Sequence, residues 1–185
     1  MRTEERGMNM KKMICIVLVL TMLLPFAAFA GSEASRDFTA VRLNEFMASN
    51  GKKTIVDKNG ESSDWIELYN TSDNDIDLEG LCLSDSKKNP EKFVFPSVIL
   101  PAHGYIIVFC SGTESLDPVE LHTAFKLNSA EGEKVVLSYK GVILDRYDYA
   151  IQQKNISMAV DAAGEWQYTS TPTPGYENVI TPIEQ

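Results

Sequence analysis

The residues able to do chemistry are few and scattered. There are only two histidines, His103 and His122. A nucleophilic triad needs a hydroxyl or thiol activated by one of them, and the chain has no nucleophile-elbow pattern. No His/Cys cluster has zinc spacing. Ser84-Asp85-Ser86-Lys87 has Ser-x-x-Lys spacing, but that chemistry needs the Ser at a helix start, with Lys one turn later on the same side. Here a strand-like run leads into a polar turn before Pro90. Asp73, Asp75, Asp77 and Glu79 alternate along an extended segment, with Ile76 and Leu78 on its other face. Such carboxylates can collect Ca²⁺, yet a solvated acidic turn accounts for them as well. Asp57-Lys58-Asn59-Gly60 begins like a calcium loop, but its Gly arrives two positions early and the closing Glu is missing. His103 sits in a Pro-Ala-His-Gly turn, and His122 reads as a structural hydrogen-bonder. The expectation is no catalytic residue, no cofactor and no metal ligand.

One surface candidate stands out. In Trp65-Ile66-Glu67-Leu68-Tyr69 a strand would turn Ile66 and Leu68 to one face and Trp65, Glu67 and Tyr69 to the other. Two aromatic faces flanking a carboxylate can stack on a sugar or grip a peptide edge. The alternative is that Trp65 and Tyr69 pack beneath a neighbouring loop.

The elements that would position these residues are strands. Val41 to Phe46 alternates at its start. Leu81-Cys82-Leu83, Phe93-Val94-Phe95, Val98-Ile99-Leu100, Tyr105 to Cys110 and Val135 to Tyr139 are short apolar runs bounded by Gly, Pro, Asn or Asp. Lys140-Gly141 separates Val135–Tyr139 from Val142–Tyr147 as a two-residue hairpin turn. Beyond the first thirty residues, no long window carries a helical apolar stripe. The pattern predicts an all-β sandwich or barrel. Tyr105 to Cys110, apolar on both faces, is expected to be a central strand, covered on one side by the opposing sheet and on the other by loops or aromatic residues. Inward Leu81 and Leu83 turn Cys82 outward while Cys110 is buried, so no disulfide between them is expected.

The N-terminus reads as a targeting segment. Arg2, Arg6, Lys11 and Lys12 precede the apolar run Met13–Leu24, Pro25 breaks it, and Ala28-Phe29-Ala30 offers small residues where a signal peptidase reads them. Cleavage is expected between Ala30 and Gly31. The apolar run is shorter than the roughly 20 residues of a membrane span. Translation starting at Met8 or Met10 would leave a more typical basic leader. Of the 185 residues, 155 then remain, with 13 basic and 24 acidic side chains and a net charge of −11. The expected organisation is a signal peptide over 1–30, a flexible segment over 31–40, one domain over 41–178 and a tail over 179–185. No second membrane anchor is expected. A chain this acidic repels phosphate backbones, so nucleic acid is excluded as a partner.

In sequence order, certain residue groups resemble the lamin-tail domain in the form found in secreted bacterial proteins. They are Leu43-Asn44-Glu45-Phe46, Asp64-Trp65-Ile66-Glu67-Leu68-Tyr69-Asn70, Asp77-Leu78-Glu79-Gly80, Leu83-Ser84-Asp85, Phe93-Val94-Phe95-Pro96, Ala102-His103-Gly104-Tyr105, His122 to Leu127, Gly132-Glu133, Ser157-Met158-Ala159 and Thr173-Pro174-Gly175-Tyr176-Glu177-Asn178. Leu81 and Val160 depart from the family's frequent Trp and Arg. The resemblance implies an immunoglobulin-like β-sandwich of antiparallel strands and a non-catalytic module. The expected function is an extracellular or cell-surface binding or structural module whose partner is a protein or a cell-envelope polymer. The alternatives are a small extracellular hydrolase or metal-dependent enzyme, or an accessory subunit of a surface hydrolase.

Overall fold

The computed structural model describes residues 36–51 and 54–183, so the expected signal peptide and its Ala30–Gly31 cleavage site lie outside the described residues. Among the described residues every regular element is a strand: β1 (Val41–Met47), β2 (Asp64–Asn70), β3 (Ile76–Asp77), β4 (Leu81–Ser84), β5 (Phe93–Val94), β6 (Ile99–Leu100), β7 (Tyr105–Cys110), β8 (Leu121–His122), β9 (Glu133–Tyr139), β10 (Val142–Tyr149), β11 (Ser157–Val160) and β12 (Trp166–Thr169). No helix among the described residues is long and apolar enough to cross a membrane.

The strands form a six-stranded sheet in the order β12-β11-β1-β2-β7-β8, a four-stranded sheet β10-β9-β4-β5, and a small β3-β6 pair. All pairings are antiparallel except β7–β8. The two larger sheets enclose one apolar core. Leu43, Phe46, Ile66, Leu68 and Val108 come from one sheet, and Leu81, Leu83, Phe93, Val135, Leu137 and Tyr149 from the other. This is the all-β, immunoglobulin-like sandwich expected from the strand pattern and the resemblance.

Two bulges set the faces. The β1–β2 register shifts between Leu43 and Glu45, so Asn44 is the extra residue. Val41 and Leu43 before it, and Phe46 after it, therefore all reach the core, while Glu45 turns to the outer face. On β10 the shift falls between Ile143 and Asp145. There the Asp145 carboxylate crosses to the other sheet and accepts the Leu43 N–H at 3.0 Å. The Lys140-Gly141 turn has φ of 48° and 76° at its two residues, the type I′ signature expected between β9 and β10.

Three expectations are corrected. Residues 36–40 are anchored rather than flexible: Phe38 is buried and meets Tyr139 edge-on at 4.9 Å, and Arg36 pairs with Asp77 at 3.1 Å. The expected tail is tied down as well, since Thr169 Oγ1 donates to the Val179 carbonyl and accepts the Thr181 N–H. The compact unit accordingly runs beyond 178. Finally, β7 lies next to the sheet edge rather than at its centre, because its outer neighbour β8 pairs only with Val108 and Phe109. Its two faces are covered as expected, Val108 and Cys110 by the core and Phe109 by a second apolar cluster.

Cys82 and Cys110 are both buried free thiols with no disulfide between them. Leu81 and Leu83 join the core on either side of Cys82, which is covered on the opposite face. Burial raises both thiols above their ordinary pKa, Cys82 to about 11.

Gly132, just before β9, has φ of +73°, and a Cβ there would sit 2.6 Å from the Tyr149 carbonyl oxygen. Both the left-handed backbone and the backbone contact demand glycine. Gly132→Ala is expected to cost about 1–3 kcal/mol in denaturant melts, with an unchanged slope. A variant within about 0.5 kcal/mol of wild type would contradict this account.

Candidate functional site

Strand β2 separates its faces as its alternation predicts. Ile66 and Leu68 enter the core; Trp65, Glu67 and Tyr69 point to the outer face of the six-stranded sheet. The outer face, however, is not an open surface. Trp65 is fully buried among Met47 and Phe109, with Ile55 and Ile107 packed against the same cluster. The covering loop between β1 and β2 is held by Asn50, whose amide donates to the Ile55 and Ser63 carbonyls at 2.8 and 2.9 Å. As a joint binding surface the Trp65, Glu67 and Tyr69 set is therefore corrected: Trp65 and Glu67 lie inside the molecule.

Glu67 is covered for a different reason. It is the cross-strand neighbour of Glu45, and both carboxylates have no solvent exposure. Each is surrounded by donors. Glu45 accepts the Ser157 hydroxyl at 2.5 Å, the Thr173 N–H at 3.0 Å and the Thr173 hydroxyl at 3.2 Å. Glu67 accepts the Gly175 N–H at 2.5 Å and the Asn44 amide at 2.7 Å. Asn178 closes the network by donating to the Asn44 and Val160 carbonyls. The Thr173–Asn178 segment is thus strapped across the sheet, and the bulge residue Asn44 supplies the joint between strap and sheet.

Burial and the neighbouring carboxylate keep the proton on this pair. Burial pushes Glu67 up to about 8, against the pull of the Gly175 N–H and the Asn44 amide, and the Glu45 charge adds to the rise. Burial raises Glu45 as well, opposed by its Ser157 and Thr173 donors. Glu45 has the richer set of donors and Glu67 the larger rise. Both carboxyls are thus held above the ordinary carboxylate range, and Glu67, at about 8, favours its protonated form at neutral pH.

Only Tyr69 of the expected triplet reaches solvent. It stacks on Tyr105 with centroids 4.8 Å apart, and its hydroxyl lies 3.4 Å from His103 Nδ1. His103 Nε2 meets Asp73 at 2.7 Å. The two tyrosines and His103 line a cleft of about 610 Å³ together with Arg42, Asp161 and Glu177.

The other sequence candidates have structural roles. Ser84 is buried and donates to the Asn89 carbonyl at 2.6 Å, so it is no nucleophile. Asp75 accepts the Ala102 N–H, and Asp77 accepts the Ser97 hydroxyl and pairs with Arg36; these acids brace turns. Asp57 also builds a turn: its Oδ1 accepts the Asn59 and Glu61 N–H groups. Asp161-Ala162-Ala163-Gly164-Glu165 forms the same turn through the same bonds. The early Gly in the calcium-like motif is thus the mark of this Asp-x-x-Gly-Glu turn. His122 is a hydrogen-bonder, as expected, between Ser111 and Glu120. Its convergence with Asp57 and Glu120, whose ligand atoms all lie within 4.8 Å of one another, was not visible in the sequence. Among the described residues this is the one group able to hold a metal ion.

The sandwich with its outward carboxylates defines an immunoglobulin-like module, and the family model of the Lamin Tail Domain matches residues 34–150. The chain belongs to that family, a family of non-enzymatic β-sandwich modules. Among curated proteins, no relative matches the chain. The match ends before β11, β12 and the strap, which complete the six-stranded sheet and cover the glutamates.

The glutamates make stability depend on pH. Glu67 titrates near 4.5 when unfolded and near 8 when folded, so between these values the folded state holds more protons. Stability is greatest below the lower value and falls as pH rises through the upper one. Asp64, raised to about 6 by burial, acts in the same direction. Denaturant melts should lose on the order of a few kcal/mol between pH 5 and pH 8.5, and Glu67→Gln should remove much of that loss. Stability that is flat or rising over this range would contradict the assignment.

Proposed function

We propose that the chain is a secreted, non-catalytic module that binds or positions a protein or a cell-envelope polymer through the cleft beside Tyr69. The observation that carries this reading is the cleft itself. The outer sheet face is closed over Trp65 and Glu67, and the stacked Tyr69–Tyr105 pair is its accessible aromatic feature, set among Arg42, His103, Asp161 and Glu177. Flat apolar rings edged by donors and acceptors of both charges suit a sugar ring or an extended peptide. The net charge of −9 for the whole chain argues against nucleic acid. The basic leader, apolar run and Ala28-x-Ala30 site support export.

Two measurements test the proposal. The intact mass of protein recovered outside the producing cell should correspond to a chain starting at Gly31; a mass that retains Met13–Leu24 would contradict export by cleavage. Tyr105→Ala, at a partly exposed position, should leave folding intact and weaken capture on cell-envelope fractions by about tenfold or more, as loss of an aromatic anchor does. Capture equal to wild type would remove this cleft as the contact.

A further inference from the structure

A second cavity, of about 460 Å³, lies at the other end of the β2 face and is lined by Asp57, Lys58, Ser62, Ser111, His122 and Lys126, among others. Asp57 and His122 line it, and Glu120 converges on them, the three ligand atoms lying within 4.8 Å of one another. Asp57 comes from the turn between β1 and β2; Glu120 and His122 come from the end of the β7–β8 connection and from β8. Asp57 is 8% exposed and His122 7%. Asp57 Oδ1 is committed to its turn, but among the described residues Oδ2 has no hydrogen-bond partner. On the same cavity wall Ser62 Oγ is also buried and unpartnered.

The hydrogen bonds around His122 allow a tautomer that turns a free Nε2 lone pair toward Glu120. Ser111 Oγ lies 3.1 Å from the Thr113 carbonyl and 3.0 Å from His122 Nδ1, so its hydroxyl can turn to either. With the hydroxyl turned to Thr113, Ser111 Oγ accepts the Nδ1–H of the ring, and the Nε2 lone pair is free for a cation. That leaves His122 Nε2 facing Glu120 Oε1 at 3.0 Å. Two lone pairs cannot face each other at that distance unless a cation lies between them, either a proton on Nε2 or a metal ion. An imidazole oriented by a hydrogen bond at Nδ1, with Nε2 turned to a carboxylate, is the arrangement that second-sphere partners impose on metal-bound histidines.

We propose that Asp57, Glu120 and His122 form a site for a divalent transition-metal cation of the Zn²⁺ kind, with solvent completing the shell. One imidazole and two carboxylates suit a borderline cation better than Ca²⁺, which prefers six to eight oxygens. For bonds of about 2.0–2.2 Å, tetrahedral ligand atoms stand roughly 3.3 Å apart. The His122–Glu120 pair already meets that spacing, and Asp57 closes the remainder by turning Oδ2 inward. The ion takes the Nε2 lone pair while the ring's proton stays on Nδ1 against Ser111, and the Lys58 ammonium, 3.9 Å from Glu120 and 3.5 Å from Asp117, moves to Asp117 alone. The bound ion ties the Asp57 turn to the β7–β8 connection.

Binding competes with a proton, so it should strengthen with pH. The charged groups that face His122 from the packed elements are Asp57, Glu120, Lys58 and Lys126, with Glu61 and Glu114 farther round the cavity. The test is Zn²⁺ titration of the full chain by calorimetry at pH 7.5 and 5.5, with ¹⁵N spectra of the histidine rings. The expected result is one saturable site per chain, a Zn²⁺-dependent shift at His122 Nε2, and affinity at least about tenfold weaker at pH 5.5. Asp57→Asn keeps the turn's acceptor; it, Glu120→Gln and His122→Gln should each weaken binding about tenfold or more, while His103→Gln should not. If a variant fails to fold, the His122 signal of wild type decides. No saturable binding, no shift at His122, or equal affinity in the three variants would overturn the proposal.

Discussion

A carboxylate taken out of water must find hydrogen-bond donors or a proton. Here two of them, Glu45 and Glu67, sit side by side on the outer face of adjacent strands with no access to solvent. Much of the outer layer follows from that constraint. The donors come from the Ser157 hydroxyl on β11, from the bulge residue Asn44, and from the Thr173 and Gly175 backbone, which belongs to no strand. A segment that would otherwise be a loose C-terminal stretch becomes a layer of the domain. The pair also resists full ionisation, because two adjacent buried carboxylates cannot both keep full charge.

The same constraint divides the outer face into zones. Near Trp65 an apolar cluster is sealed by the loop held through Asn50. In the middle lie the glutamates beneath the strap. At the Tyr69 end the cover stops, and the stacked tyrosines open onto a cleft shared with Glu177 of the strap and Asp161 of the β11–β12 turn. The strap is therefore both a lid over the glutamates and a wall of the accessible cleft.

The local pattern of the fold was legible in the sequence. Alternation in β2 separated Ile66 and Leu68 from Trp65, Glu67 and Tyr69, and Lys140-Gly141 marked its hairpin. What alternation cannot supply is the fate of the outer face. Whether Trp65 meets solvent depends on a loop whose closure rests on Asn50 reaching Ile55 and Ser63. The family landmarks Asn44-Glu45, Glu67, Thr173-Pro174-Gly175 and Asn178 were visible as a set, but their meeting in one buried network needs the sheet order β11-β1-β2. The Asp57, Glu120 and His122 group was hidden for the same reason. Metal-ligand spacing is a local signal, and these residues are joined only by the pairing of β2 with β7 and β7 with β8. Phe38 lay in a stretch rich in small and polar residues, and its burial against Tyr139 depends on a distant strand.

Amide hydrogen exchange, read residue by residue by NMR, tests directly whether the buried glutamates hold the outer layer. In wild type the Thr173 and Gly175 amides should be protected. Glu45→Ala should release Thr173 and Glu67→Ala should release Gly175, while the core amides of β9 keep their protection. Unchanged protection at Thr173 and Gly175 in both variants would show that the strap is held by something else, and the account would fail.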